Sequence, residues 1–273
     1  TSDKPFDYLD WEMTQNSFDE LKTWLHAYAD SIQSGDPDCR HRFQLKLDHS
    51  AMVADEAADI GERLELTENT VNLAKIAGLL HDVGRFPQFA QYKTFKDDIS
   101  VNHGELGAAI IKEKNLLEAF DDRERRFVQR AVALHNLATI PEGNDADSDA
   151  VSKLVRDADK LDIYRISHSY DLEVTPGGRM LADEDISDRI LDDIMADRTA
   201  VFSQVETRCD VMALKLAWVF DINFMPTMQR IEQRGYLRRI LAILPDTARV
   251  QDLKQKLAVY LRHQFDIDLS LKN

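Results

Sequence analysis

Several segments of the sequence place an ionisable side chain where a helical pattern calls for an apolar one. His49 stands four residues after Leu45 and four before Val53, and His135 stands four residues after Ala131. A buried imidazole or carboxylate is costly unless it is paired or binds a metal. The full ordered set is His49, His81, Asp82, His103, His135 and Asp159. Together these residues predict a shared cation.

The order of the set carries more weight than any of its members. A lone histidine on an apolar face is usually an ordinary core residue, whereas the local sequences LLHDVGRF, NHGELGAAI, ALHN and RDADKLD in this order are not explained by chance. Imidazole and carboxylate ligands without a thiolate favour divalent ions such as Mn²⁺, Fe²⁺, Co²⁺, Ni²⁺, Zn²⁺ or Mg²⁺. The sequence does not choose among these ions.

With these motifs the chain resembles, from about Leu45 to Ile166, the HD-domain superfamily of metal-dependent phosphohydrolases. The resemblance implies an all-α fold and four ligands that define the superfamily, namely His49, His81, Asp82 and Asp159. It implies two further ligands, as in the two-metal members, at His103 and His135. Within RDADKLD, Asp159 fits the family pattern Ala-Asp-x-Leu, so Asp157 and Asp162 are expected at the surface or behind the ligands.

Two departures from the family limit what the resemblance implies about the substrate. His135 is followed by Asn136 where HD-GYP phosphodiesterases have paired histidines, and the GYP motif is absent. Arg85 stands in the region where the bacterial deoxynucleotidase branch has a glutamate. The substrate is therefore not implied by the resemblance.

In the two-metal interpretation, Asp82 bridges the ions and is the catalytic carboxylate. One ion is then held by His49, His81 and Asp159, and the other by His103 and His135. A water shared by the ions would become acidic enough to attack phosphorus as a bridging hydroxide. The candidates for binding the substrate phosphate are Arg85, Lys93 and Lys160. We therefore expect a hydrolase of small phosphoesters, monoesters or diesters, nucleotides among them.

Two other functions remain open at this point. The same six-ligand pattern occurs in HD-domain dinuclear-iron oxygenases, which act on small polar substrates. Some HD-like domains are non-catalytic signalling domains, although the intact set of six residues argues against this interpretation. The ligands alone do not separate hydrolysis from oxygen chemistry.

The elements that must position these residues are predicted to be helices. Low Gly and Pro counts and little Val/Ile/Thr alternation argue against a sheet. Apolar stripes predict helices at 17–33, 44–64, 71–80, 104–114, 121–137, 151–166, 205–220, 228–244 and 249–265. Three irregular stretches are expected at 85–102, 140–149 and 171–181. The prediction is a single all-α domain over 1–273, with the metal-binding core at about 45–166 and a helical extension at about 186–273.

The charge of the chain excludes some partners. With 49 acidic and 34 basic residues the net charge is −15, so a long nucleic acid or an anionic membrane would be repelled. Two divalent ions would create a local site for a small phosphorylated substrate within this acidic protein. Only two cysteines and no apolar run long enough to span a bilayer favour a cytoplasmic protein. The polar, acidic residues 1–11 do not resemble a signal peptide.

Overall fold

A computed structural model describes residues 8–32, 37–166, 185–199 and 204–269 of the chain. Those ranges are helical and contain no strand, which confirms the all-α prediction. The predicted irregular stretch 171–181 lies outside the described residues. No helix in the described ranges has the length and apolarity needed to cross a bilayer.

The structure divides into two compact units, Thr1–Asp159 and Lys160–Asn273. The helices that begin in the first unit are α1 Tyr8–Ile32, α2 Pro37–Arg63, α3 Glu68–Leu80, α4 Arg85–Tyr92, α5 His103–Glu113, α6 Asp122–Leu134 and α7 Ala146–Ile166. Those of the second unit are α8 Asp188–Met195, α9 Arg208–Ala217, α10 Met225–Gln233, α11 Tyr236–Ile243 and α12 Ala248–Phe265. Short 3-10 helices lie at Asp97–Ile99 and Trp218–Asp221. The single-domain organisation stays a prediction.

Several predicted boundaries differ from the observed ones. Helix α2 begins at Pro37 rather than at residue 44, and α7 begins at Ala146, within the stretch 140–149 predicted to be irregular. The first helix begins at Tyr8 rather than at residue 17. The segment predicted as irregular from Arg85 contains α4, whose apolar positions Phe86 and Phe89 are buried. The helix predicted at 228–244 is two helices, because Gly235 adopts a left-handed φ of 67° between them.

Close packing around α5 depends on a glycine that follows the His-Asp pair. A Cβ added to Gly84 would lie 2.2 Å from the carbonyl oxygen of His103 and 2.8 Å from the amide nitrogen of Gly107. Both atoms belong to backbone, which cannot rotate away as a side chain would. Gly84 therefore lets the end of the α3 segment approach the first turns of α5 directly.

We expect Gly84→Ala to lower the free energy of unfolding of the first unit by about 3 kcal/mol or more, because backbone must shift to admit the methyl group. The matched variant is Gly143→Ala, whose new Cβ would meet the side-chain ends of Asp149 and Arg130 at 2.8 and 3.1 Å. Because those side-chain ends can move, Gly143→Ala should change the free energy of unfolding by no more than about 0.5 kcal/mol. Urea unfolding measures the free energy of unfolding of both variants. Equal values would show that the backbone of α5 shifts at little cost to admit a methyl group at Gly84.

Candidate metal site

All six predicted ligands lie together in the first unit. Their ligand atoms form three overlapping groups, in each of which the atoms lie within 4.8 Å of one another. The groups are His49, His81 and Asp82; His81, His135 and Asp159; and Asp82, His103 and His135. The four histidines and Asp82 are buried, and the side chain of Asp159 is 19% exposed. Polar groups so crowded and so dry need a cation to balance them.

Five elements bring these side chains to one place. His49 lies within α2, and His81 and Asp82 directly follow α3. His103 is the first residue of α5, where the side chain of Asn102 caps the helix by accepting from the amides of Gly104 and Glu105. The remaining ligands are His135, directly after α6, and Asp159 within α7. The ligands at helix ends are therefore positioned by the helix boundaries themselves.

Asp82 lies between the two sets of histidines. Its Oδ1 is 3.4 Å from Nε2 of His103 and 3.9 Å from Nε2 of His135. Its Oδ2 is 3.8 Å from Nε2 of His49 and 3.5 Å from Nε2 of His81. One oxygen thus faces each set, which is the placement that a bridging carboxylate requires. Asp159 belongs to the His49 side, since its Oδ1 is 3.0 Å from Nε2 of His49.

The hydrogen bonds of three histidines leave their Nε2 atoms as ligands. Nδ1 of His81 donates to the carbonyl of Gly78 at 2.7 Å, and Nδ1 of His135 donates to the carbonyl of Val132 at 2.8 Å. Nδ1 of His103 lies 2.7 Å from a carboxylate oxygen of Asp97. A ring that donates from Nδ1 in its neutral form carries a lone pair on Nε2.

These Nε2 lone pairs show that the site fits a metal. Nε2 of His81 is buried and has no hydrogen-bond partner among the described residues. Nε2 of His103 and Nε2 of His135 lie 2.9 Å apart, so that two lone pairs face each other. This repulsion disappears when a cation binds both nitrogens, and His81 then gains the partner that it lacks.

The protonation states suit metal binding as well. Burial lowers the pKa of His103 and of His135 to about 4, so both rings are neutral near pH 7. Burial would raise the pKa of Asp82, but the neighbouring charges, with that of Lys46 foremost, hold it well below its usual range. Burial would also raise the pKa of Asp159, but a hydrogen bond from His49 and the interactions with the other histidines together lower it. Neutral imidazoles and ionised carboxylates are the forms that bind metals.

Two positively charged residues next to the cluster were not predicted from the sequence. Nζ of Lys46 lies 2.6 Å from Oδ2 of Asp82. Arg156 is buried and donates to the carbonyls of His135, at 3.0 Å, and Ala138, at 3.0 Å, which holds the end of α6 against α7. Each lies three residues before a ligand on the same helix, and this helical spacing was the available signal.

A polar network behind His103 was also missed. Asp97, in the first 3-10 helix, binds side chains from three other elements, namely Arg85, Gln88, His103 and Asn136. Asp97 lies in the stretch predicted to be irregular, and its neighbour Asp98 is exposed. The sequence alone did not show which of these two carboxylates turns inward.

The predicted substrate-binding residues lie in different surroundings. Nε of Arg85 is 3.4 Å from Oδ1 of Asp82, so Arg85 does lie beside the cluster. Lys93 ends α4 in a left-handed conformation, and its Nζ is 5.9 Å from the centroid of the Phe89 ring. Lys160 belongs to the second unit and pairs with Asp221 at 2.8 Å. Their roles with substrate stay predictions.

The two aspartates that flank Asp159 in the RDADKLD motif are not at the surface. Asp157 is fully buried, and Asp162 is buried and pairs with Arg165 at 2.6 Å. Of the two expected positions, the surface is therefore excluded for both, and the position behind the ligands stays a prediction. The apolar residues of the α7 stripe, Leu154, Val155, Ala158 and Leu161, are buried as well.

The comparison with protein families agrees with the motifs. Residues 47–164, less than half of the chain, match the model of the HD domain family. This range includes all six predicted ligands and confirms the resemblance predicted from about residue 45 to residue 166. No curated protein and no solved structure matches the chain.

Proposed function

We propose that this protein, whose residues 47–164 match the model of the HD domain family, is a metal-dependent phosphohydrolase that acts on small phosphoesters through a two-ion site. The observation that carries the proposal is the position of Asp82, with one carboxylate oxygen facing His103 and His135 and the other facing His49 and His81. Such a carboxylate serves two ions better than one.

In this proposal each ion has its own protein ligands. His49, His81 and Asp159 would hold the first ion, His103 and His135 would hold the second, and Asp82 would contact both. Two divalent ions supply an acidified water for attack on phosphorus and positive charge that stabilises the phosphoryl oxygens. The protein supplies fixed neutral imidazoles and a dry surrounding, which strengthens every charge interaction at the site.

Two side chains next to Asp82 are our candidates for binding the phosphoryl group of the substrate. Lys46 and Arg85 lie beside Asp82, and their side chains are 23% and 17% exposed, so both reach the boundary between the cluster and solvent. Their charged ends lie 5.5 and 5.9 Å from the centroid of the Phe95 ring. Once ions neutralise Asp82, these cations can bind phosphoryl oxygens, and the protein needs no wider basic surface.

We expect Lys46→Met to lower kcat/KM for a phosphoester by roughly 10–100-fold, which corresponds to the loss of one charged hydrogen bond. The control is Lys75→Met, because Nζ of Lys75 lies over the ring of Phe18, 4.4 Å from its centroid. Steady-state kinetics at saturating metal measure both variants. If the two variants have the same kcat/KM, Lys46 does not contact the substrate.

The function itself is tested with protein purified without oxygen and loaded with one divalent metal at a time. Phosphomonoesters, phosphodiesters and nucleotides are supplied, and both phosphate or alcohol release and O₂ consumption are recorded. The proposal predicts hydrolysis without O₂ consumption, and loss of hydrolysis in Asp82→Asn. O₂ consumption without hydrolysis would instead indicate an oxygenase, and a protein that binds metal but does neither would indicate a binding domain.

A further inference from the structure

Asp97 accepts hydrogen bonds from three different elements at one carboxylate. Nη1 of Arg85 and Nε2 of Gln88, both from α4, lie 3.0 and 2.8 Å from its Oδ1. Nδ2 of Asn136, which follows α6, lies 2.8 Å from its Oδ2. Nδ1 of His103 lies 2.7 Å from the same Oδ2. The carboxylate is thus held by three donors while it accepts a hydrogen bond from Nδ1 of His103.

Gln88 holds Asp97 at Oδ1, whereas the closest contact of His103 is with Oδ2. Gln88 is fully buried, and its amide also donates to the hydroxyl of Ser100 and to the carbonyl of Val101, at 2.9 Å each. It therefore fastens α4 to both sides of the 3-10 helix that carries Asp97. Asp97 is not a surface carboxylate that happens to lie near His103, because its position is set by the packing around it.

The orientation of Asn136 leaves Asp97 as the acceptor that keeps the ring proton of His103 on Nδ1. Nδ2 of Asn136 lies between two acceptors, Asp97 and Oδ1 of Asn102, so its donor side must face them. The same Nδ2 lies 3.3 Å from Nδ1 of His103. Without Asp97, His103 would meet a donor at Nδ1, which favours placing the ring proton on Nε2 instead.

A proton on Nε2 would point into the cluster. Nε2 of His103 lies 2.9 Å from Nε2 of His135 and 3.4 Å from Oδ1 of Asp82, and both atoms accept hydrogen bonds. The alternative tautomer would thus be stabilised from both ends of the ring. It would also remove the lone pair with which His103 binds a metal.

We infer that Asp97 is a positioning residue that holds His103 in the tautomer whose Nε2 lone pair faces Asp82 and His135. Its effect on metal affinity rests on the proposed two-ion site, whereas its effect on the tautomer does not. Partners of this kind, which orient a metal-binding histidine, typically change metal affinity by about 10–100-fold when they are removed. Removing Asp97 should weaken the affinity for the ion held by His103 and leave the affinity for the other ion unchanged.

The first experiment measures the ring tautomer of His103 in the metal-free protein by long-range ¹⁵N–¹H NMR. We expect the proton on Nδ1 in the wild type and on Nε2 in Asp97→Ala. In Asp97→Asn the oxygen should face the fixed donors of Arg85 and Gln88, so the amide NH₂ faces Nδ1 of His103 and the ring proton should again move to Nε2. Asp98→Ala is the matched control, because Asp98 is the exposed neighbour in the same 3-10 helix, and it should behave as the wild type.

The second experiment titrates the same four proteins with Mn²⁺ by calorimetry. We expect two ions in the wild type and in Asp98→Ala, and one affinity weakened about 10–100-fold in Asp97→Ala. Asp97→Asn, which loses the charge but keeps the shape, should also weaken the same affinity. This variant also tests the inference if Asp97→Ala does not fold.

The combined outcomes separate this inference from the proposed function. If the wild type binds two ions and both Asp97 variants match Asp98→Ala in tautomer and affinity, Asp97 does not position His103 and the two-ion site stands. If the wild type binds fewer than two ions but Asp97→Ala moves the proton to Nε2, the two-ion proposal is wrong and the positioning role stands.

Discussion

Replacing Asp82 with asparagine is expected to lower kcat/KM by on the order of 1,000-fold or more, beyond the roughly 10–100-fold that loss of an outer partner of a ligand costs. Asparagine keeps the shape and one oxygen, but its amide nitrogen has no lone pair for a metal. Because the two oxygens of Asp82 face different sets of histidines, the variant loses contact with one ion whichever way its side chain turns.

The loss of charge adds to this effect. Nζ of Lys46 pairs with the buried carboxylate of Asp82 at 2.6 Å. In the neutral variant the charge of Lys46 is no longer balanced, and it repels the metal ions that the neighbouring histidines would bind. The control is Asp98→Asn, which makes the same change in charge at an exposed position and should retain full activity. Circular dichroism establishes that both variants fold. A folded Asp82→Asn protein with activity within tenfold of the wild type would show that Asp82 is not the central ligand.

Removing the metal is expected to destabilise the first unit and to abolish phosphate binding. A ligand present at 100 times its Kd stabilises the folded state by about 2.7 kcal/mol, which for a unit of this size corresponds to roughly 5–10 °C in Tm for each ion. The structure gives the physical reason, since the facing Nε2 atoms of His103 and His135, 2.9 Å apart, repel each other until a cation joins them.

Differential scanning calorimetry of chelator-treated protein, with and without added Mn²⁺, measures this shift. The Asp82→Asn variant is the control, because most of the shift should disappear in it. Equilibrium binding of inorganic phosphate should be lost when the metal is removed and return when it is added back. The reason is that the net charge of −15 leaves the metal-free surface repulsive to anions. Phosphate binding that persists after chelation would mean that Lys and Arg side chains, rather than metal ions, attract the substrate.

The candidate metal ligands were predictable because some of them interrupt a strong local pattern and because their motifs together resemble those of a known family. His49 interrupts the apolar stripe of α2, and Asp159 interrupts that of α7, whose neighbouring residues are buried. Burial of such residues is determined by the helix on which they lie, and helical periodicity is visible in a single sequence. The same reasoning gave the all-α class and most of the helices, with boundaries that differ by several residues.

The supporting residues were not predictable for a different reason. Lys46 contacts Asp82 across 36 residues and Asn136 contacts Asp97 across 39 residues, so their roles depend on how distant segments meet. Asp97 is only six residues from His103, but Asp97 and Asp98 are chemically identical neighbours, and the contacts of Asp97 with Arg85, Gln88 and Asn136 decide which one turns inward. Helix α4 was missed because it is short, and its buried positions Phe86 and Phe89 were assigned to a loop.

We propose that six side chains in the first unit hold two divalent ions on either side of Asp82. Anomalous diffraction from crystals of Mn²⁺-loaded protein tests it most directly. We predict two peaks, one bounded by His49, His81 and Asp159 and the other by His103 and His135, with Asp82 in contact with both. A single peak away from Asp82, or no peak within the cluster, would contradict the claim.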